Sequence, residues 1–117
     1  MSQLAYAVKT FESVTIPAGT SVESAITEVN SIRPLGNFAS QLVVESGAGT
    51  VDVDLHLSID GVNFVSYDKL FEDKTLINAP APGIIENHAF AVCLKFKVVI
   101  TETAGTSTVV SHTIGVQ

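Results

Sequence analysis

The chain has 117 residues, a formal net charge of −6 at pH 7 and one cysteine, so we expect a single domain, residues 1–117, without an internal disulfide. The acidic balance argues against nucleic-acid binding, because that function needs a basic surface and only six lysine and arginine residues are present. Charged residues make up 15% of the chain, against about 25% in ordinary domains, which indicates either an all-β composition or a surface covered by another subunit.

The first part of the chain predicts short strands separated by turns. Residues 5–16, AYAVKTFESVTI, form a strand in which Phe11 breaks the alternation, so a β-bulge is expected near Thr10. A turn follows at residues 17–20. Residues 21–29, SVESAITEV, fit either a short capped helix or a strand, and their β-branched residues favour the strand. Residues 30–37 are expected to form a loop.

Two hairpins are predicted around the middle of the chain. Residues 38–45 form a strand, and Gly47-Ala48 is expected to join it to residues 51–59 through a two-residue type II′ turn. Residues 51–59, VDVDLHLSI, alternate apolar and polar without a break, and Asp60-Gly61 then gives a strong hairpin signal. The resulting register pairs Ile59 with Val62 and Leu57 with Phe64 on the buried face. On the exposed face it pairs Asp54 with Tyr67 and Asp52 with Lys69.

The last part of the chain predicts further strands. A stiff loop, APAPG, covers residues 79–83 and is followed by a short edge strand at residues 84–87. Residues 89–103 form the longest predicted strand, with the even-numbered apolar residues from Phe90 to Ile100 on its buried face. A turn of three or five residues then leads to residues 108–116, which join that face and put His112 on the buried side.

Seven to nine mostly antiparallel strands with short turns, and no clear helix, predict an all-β domain, either a β-sandwich or a jelly roll. An immunoglobulin domain is not expected, because the chain has one cysteine and no tryptophan.

No catalytic, cofactor-binding or metal-binding residues are predicted. The three histidines, His56, His88 and His112, have no metal-ligand spacing, and the acidic residues between Asp52 and Asp73 indicate a solvated sheet face rather than a calcium loop. There is no nucleophile motif, so we expect that the protein is not an enzyme. A non-catalytic carbohydrate-binding module remains an alternative, although only Tyr6, Tyr67 and six phenylalanines are available for stacking on a sugar.

The N-terminal residues MSQLAYAVKT have neither the basic start nor the apolar run of a signal peptide. No stretch is apolar enough to cross a membrane, since even HAFAVCL is followed by Lys95. We therefore expect a soluble protein that is made in a cytoplasm and has no membrane partner.

Four short stretches resemble the small β-sandwich virion proteins of tailed bacteriophages. In chain order they are Ala18-Gly19-Thr20-Ser21-Val22-x-Ser24, Gly36-Asn37-Phe38-Ala39-x-Gln41-Leu42-Val43-Val44, Gly47-x-Gly49-Thr50-Val51 and Ser58-x-Asp60-Gly61-x-Asn63-Phe64. The resemblance covers residues 18–64 and consists largely of turn residues. Phe64 stands where those proteins often have a tryptophan.

Within that group, the chain looks most like a capsid decoration (cement) protein. The resemblance implies a structural virion protein that binds between major capsid subunits on the capsid surface, made in the host cytoplasm and self-associating as a trimer or dimer. A tail or neck protein of the same fold is the nearest alternative. The N-terminal segment, residues 1–12, is expected to be either a contact arm or the first strand, with Leu4, Tyr6, Val8 and Phe11 as candidate contact residues.

Overall fold

The computed structural model of the protein describes residues 6–29, 37–89, 91 and 93–116. Nine strands form its regular structure, and within those ranges no helix is long and apolar enough to cross a membrane. The predicted all-β class is confirmed. The strands are β1 (Tyr6–Ile16), β2 (Ser21–Glu23), β3 (Thr27–Glu28), β4 (Asn37–Gly47), β5 (Val51–Ser58), β6 (Val65–Lys74), β7 (Ile84–Ala89), β8 (Lys95–Glu102) and β9 (Thr108–Val116).

The strands form two sheets in which every pairing is antiparallel. Sheet A has the order β1-β9-β4-β7, and sheet B has the order β2-β8-β5-β6, with β3 also paired to β8. Because β2 and β3 pair with successive stretches of β8, they act as one interrupted strand. Two four-stranded sheets connected in this order form a jelly roll, one of the two architectures that the sequence predicts.

The interruption between β2 and β3 has a local cause at Ser24. The Ser24 amide donates to the Val98 carbonyl at 2.8 Å, and the Ser24 hydroxyl accepts from the Val98 amide at 2.9 Å. The side chain thus takes the place that a backbone carbonyl holds in a regular ladder, which lets the backbone leave the sheet. The prediction of a strand rather than a helix over residues 21–29 is confirmed, in two short pieces.

Apolar side chains from the inner faces of both sheets fill the core. In β5, β8 and β9 the residues alternate between buried and half-buried, as the alternation of residues in the sequence predicts. His112 lies on the buried side as predicted. Side chains of this size each stabilise the fold by about 1.5–3 kcal/mol when fully buried. The largest apolar side chains that are fully buried in this core are those of Phe71, Phe96, Ile16, Leu42, Leu55, Leu70, Ile100 and Ile114.

The β-bulge predicted near Thr10 is confirmed. The register of β1 against β9 shifts between Lys9 and Phe11, and it shifts again between Phe11 and Val14. Ser13, inside the second shift, has a φ of 47°. The irregularity turns Phe11 into the core, where 2% of its surface is exposed.

The predicted hairpin between residues 38–45 and 51–59 is wrong, because the chain changes sheet between its two strands. β4 pairs with β7 and β9 in sheet A, whereas β5 lies in sheet B, so Gly47-Ala48 is not a two-residue hairpin turn. β8 and β9 are likewise in different sheets, and their buried residues meet across the core instead of side by side. The predicted long strand is also shorter than expected, since β8 begins at Lys95; Phe90 and Val92 lie outside the described residues.

The β5–β6 hairpin exists, but its predicted register is wrong. The connecting loop covers residues 59–64, and Leu57 lies opposite Val65 instead of Phe64. Further register shifts along the hairpin bring Val51 opposite Lys74. The predicted charge pair is nevertheless present, because Lys69 Nζ lies 3.2 Å from Asp52 Oδ2.

Candidate functional site

Exposed apolar side chains gather at the end of sheet B where β5 ends and β8 begins. They come from the loop 59–64, from the start of β6 and from the residue before β8. We call this set the end patch; its members, with the exposed fraction of each residue, are Ile59 (81%), Val62 (78%), Val65 (68%), Tyr67 (47%) and Leu94 (43%). Large apolar residues exposed together in this way typically mark a binding surface.

A cleft of about 380 Å³ opens within this region. Ile59, Val65 and Tyr67 of the end patch line it together with Leu57 and Ala91. The walls are mainly apolar, as in sites that receive an apolar side chain. The end patch therefore combines protruding side chains with a concave surface beside them.

The loop that carries Ile59 and Val62 is held by hydrogen bonds instead of by core packing. The Asp60 carboxylate accepts from the backbone amides of Val62 and Asn63, each at 2.8 Å, and from the Asn63 side-chain amide at 2.8 Å. The Ser58 hydroxyl donates to Asp60 at 3.0 Å and accepts from the Gly61 amide at 2.9 Å. These bonds, led by the Asn63 amide, hold the pKa of Asp60 well below its usual range.

The same loop is anchored to β8. The amide of Leu94 donates to the carbonyl of Ser58 at 2.8 Å, which places Leu94 beside the loop. A Cβ added at Gly61 would lie 3.0 Å from Leu94 Cδ2, so a residue with a side chain at this position would press on Leu94. The φ of Gly61 is +79°, a conformation that favours glycine. The end patch is therefore presented in a fixed arrangement before any partner binds.

The outer face of sheet B beside the end patch is charged and internally paired. Lys69 contacts both Asp52 and Asp54, at 3.2 Å and 3.4 Å, and Lys97 contacts Glu23. The Lys97 ammonium also lies 4.9 Å from the centre of the Phe64 ring. Asp52 and Asp54, two of the acidic residues between Asp52 and Asp73, belong to this paired face. In the part of the chain that the structure describes, no group of three potential metal ligands comes together.

His88 and His112 are neighbours, since both rings pack edge-on against Phe71, whereas His56 has a separate environment. His112 is fully buried, and its ring nitrogens lie 2.6 Å from Thr10 Oγ1 and 2.6 Å from Ser40 Oγ. His88 stacks on Phe38 with ring centres 5.3 Å apart, and its Nδ1 lies 3.4 Å from Asp68. His56 is on the outer face of sheet B, where it lies opposite Lys97.

The candidate contact residues of the N-terminal segment are only partly covered by the described residues. Phe11 belongs to the core, and Val8 packs against the core while half-buried. Tyr6 begins β1, where its backbone pairs with Val116, and Leu4 lies outside the described residues. Whether this segment contacts a partner stays a prediction.

Sequence reasoning missed the end patch because it placed Ile59 and Val62 on the buried face of a hairpin. The signal that identifies the loop is Ser58-x-Asp60-Gly61-x-Asn63. Each of its polar residues takes part in the hydrogen bonds that hold the loop outside the sheet.

The fold is shared with proteins whose sequences are very different. No protein-family model matches the sequence, and no curated protein matches it in sequence. The Yersinia pseudotuberculosis-derived mitogen matches 96% of this chain and 86% of its own, with a TM-score of 0.61 and 12% identity. The SPBc2 prophage-derived protein YomS matches 96% of this chain and 92% of its own, with a TM-score of 0.58 and 10% identity.

A viral capsid protein shares the fold as well. The VP2 subviral particle of infectious bursal disease virus matches 96% of this chain, with a TM-score of 0.60 and 9% identity. This chain spans 32% of that VP2 chain. At these identities the likeness shows a common jelly-roll fold, found in a prophage protein and in a viral capsid protein, and the fold alone.

Proposed function

We propose that this protein is a structural virion protein that decorates and stabilises a phage capsid by binding between major capsid subunits. The observation that carries the proposal is the end patch, an apolar surface whose protruding loop, residues 59–64, is already ordered. The jelly-roll fold shared with a prophage protein and a capsid protein supports it, as does the resemblance of residues 18–64 to phage virion proteins.

In this proposal the end patch is the surface that meets the capsid. A side chain the size of isoleucine or valine contributes about 1.5–3 kcal/mol when it is fully buried, and part of that gain is offset by the entropy lost on association. A loop that is fixed before binding reduces this loss. Each bound copy then adds binding free energy to the assembled lattice, which stabilises it against disassembly.

The test measures binding to capsids assembled from the major capsid protein of the same genome. The double variant Ile59→Asp, Val62→Asp should lose at least tenfold in affinity, because it puts charge into the surface that becomes buried. Ile77→Asp is the matched control, since Ile77 is 90% exposed in the loop after β6, at the opposite end of sheet B. Equal binding by both variants would refute a role of the end patch, and binding to purified tails alone would favour a tail or neck protein.

A carbohydrate-binding module is the second candidate. The observation in its favour is Tyr67, a half-exposed aromatic residue that lines the cleft next to Asn63. Sugars stack on aromatic rings and hydrogen-bond to amides of this kind. A glycan array followed by NMR titration tests it: saturable shifts of the Tyr67 ring resonances by a glycan would establish this function, and their absence would remove its support.

A further inference from the structure

The loop 59–64 contains Asp60-Gly61, the only Asp-Gly pair in the sequence, and the sequence has no Asn-Gly pair. An aspartate followed by glycine is especially prone to spontaneous isomerisation of the backbone, because glycine has no side chain that shields its own amide nitrogen. The pair also lies outside the regular strands, in the connection between β5 and β6. Asp60-Gly61 is therefore the place in this chain where isomerisation is expected first.

The isomerisation begins when the backbone nitrogen of the glycine attacks the side-chain carbon Cγ of the aspartate. A bond forms between these two atoms, the nitrogen loses its proton, and the carboxyl hydroxyl leaves with that proton as water, which closes a succinimide ring. A water molecule then opens the ring at either carbonyl and gives aspartate or isoaspartate. The reaction needs a glycine nitrogen that is free to attack and a carboxyl group that is protonated and able to turn towards it.

Ser58 binds the nitrogen that this reaction needs. The Gly61 amide donates to Ser58 Oγ at 2.9 Å, and Ser58 is buried, with 2% of its surface exposed. The carbonyl of Ser58 accepts from the Leu94 amide at 2.8 Å, which fixes the position of Ser58 at the end of β5. Attack on Asp60 would require the Gly61 amide to give up its bond to Ser58, and that loss raises the barrier to the reaction.

The carboxylate of Asp60 is also held in an unreactive state. Its Oδ1 accepts from the amides of Val62 and Asn63, and its Oδ2 accepts from the side-chain amide of Asn63, each at 2.8 Å. Both oxygens are thus bound to residues that follow Gly61. The Asn63 amide first, and the other donors after it, lower the pKa of Asp60, so little of the protonated carboxyl group is present at pH 7.

We infer that Asp60-Gly61 is a latent isoaspartate site and that Ser58 protects it by binding the Gly61 nitrogen. In isoaspartate the main chain is one atom longer, and the free carboxylate is attached directly to Cα. The carboxylate then no longer reaches the amides of Val62 and Asn63 as it does in the structure, so the loop loses its fixed arrangement. The inference is independent of the proposed capsid binding, because it concerns a reaction within this chain.

Peptide mapping of the full chain, incubated at pH 7 for several weeks, tests the inference without any capsid. Isoaspartate has the same mass as aspartate, but endoproteinase Asp-N cleaves before aspartate and not before isoaspartate, so an uncut bond between Ile59 and Asp60 reports the modification. The native chain unfolded in guanidinium gives the rate without protection. The folded native protein should isomerise at Asp60 at least tenfold more slowly, because the reaction must wait for the loop to open.

Ser58→Ala releases the Gly61 nitrogen and should raise the isomerisation rate of the folded protein about tenfold. Ser24→Ala is the matched control, because the Ser24 hydroxyl also accepts from a backbone amide at 2.9 Å, that of Val98, at the interruption between β2 and β3. This control should isomerise at the native rate, which separates loss of the Gly61 bond from a general loss of stability.

If Ser58→Ala fails to fold, as judged by circular dichroism, Ser58→Cys replaces it, since a thiol has a similar shape and is a weak acceptor. Equal rates of isomerisation in the folded and the unfolded native chain would overturn the inference. Equal rates in the Ser58 variant and in Ser24→Ala would overturn it as well.

Discussion

The carboxylate of Glu102 accepts a hydrogen bond of 2.8 Å from the amide of Gly19, a residue 83 positions away in the chain. It also accepts from the amide of Thr50 at 3.1 Å and from three successive amides in the loop after β8, those of Ala104, Gly105 and Thr106. One buried side chain therefore ties together three loops at the end of the sandwich opposite the end patch. Burial raises the pKa of Glu102, but these backbone donors outweigh it and lower the pKa to about 2.

Replacing Glu102 by glutamine should lower the melting temperature at pH 7 by several degrees, because the five amides lose a charged acceptor. The folded-state pKa of about 2 is below the unfolded value of 4.5, so the carboxylate stabilises the fold above pH 4.5. That stabilisation is lost as the pH falls from 4.5 towards 2. Thermal melts of the two proteins should therefore differ most above pH 4.5 and converge towards pH 2.

Glu72→Gln serves as the control, since Glu72 is an exposed residue of β6. It should melt like the native protein at every pH. A gap between Glu102→Gln and the native protein that stays constant from pH 7 to pH 2 would contradict the role assigned to the ionised carboxylate.

The inward and outward positions of most strands could be predicted from the sequence, but the choice of strand partners could not. In β5 and β9 the inward and outward positions follow from the residues of each strand alone, because each inward side chain contacts the core whichever strand lies beside it. Leu42 and Val53 are both buried, which suits a β4–β5 hairpin and a jelly roll equally well. Only contacts between distant segments, such as the hydrogen bonds of the Gly19 and Thr50 amides to Glu102, distinguish the two arrangements.

The end patch could not be predicted from the sequence, because the apolar residues of β5 continue their alternation into the loop. Ile59 continues the apolar pattern of β5 and so was predicted to be buried, yet the strand ends at Ser58. The side chains of Ser58 and Asp60 accept hydrogen bonds from nearby backbone amides. These bonds replace the hydrogen bonds between strands that a longer β5 would make. Phe11 is the opposite case: it was a candidate contact residue, but the β-bulge in β1 places its side chain in the core.

His112 gives a second, separate pH dependence. Burial first, and the neighbouring His88 second, lower the pKa of His112 from 6.5 to about 3, so the folded protein holds this ring neutral. The neutral ring offers one donor and one acceptor, and the hydroxyls of Thr10 and Ser40 take the complementary roles. The unfolded chain binds a proton below pH 6.5 and the folded one does not, so stability falls as the pH drops from 6.5 towards 3.

Between pH 7 and pH 5 this effect should cost about 2 kcal/mol of unfolding free energy. Urea unfolding at the two pH values measures it, in a range where the Glu102 carboxylate stays ionised. His112→Gln should be less stable at pH 7 and should lose most of the pH dependence, whereas His56→Gln, on the outer face of sheet B, should keep it. An unchanged pH dependence in His112→Gln would show that another group is responsible.

The loop that presents Ile59 and Val62 should depend on Asp60 for its order. Asp60→Ala removes the acceptor of the Val62 and Asn63 amides, so hydrogen exchange at these two amides should accelerate at least tenfold. The melting temperature at pH 7 should fall as well, because the hydrogen bonds that hold the pKa of Asp60 below its usual range also stabilise the folded state. Capsid affinity should fall roughly tenfold, because the loop would have to be ordered during binding.

Glu72→Ala, which removes an exposed charge from β6, should leave exchange and binding unchanged. Faster exchange without weaker binding would mean that the partner does not use this loop, and unchanged exchange would mean that packing against Leu94 is sufficient to hold it.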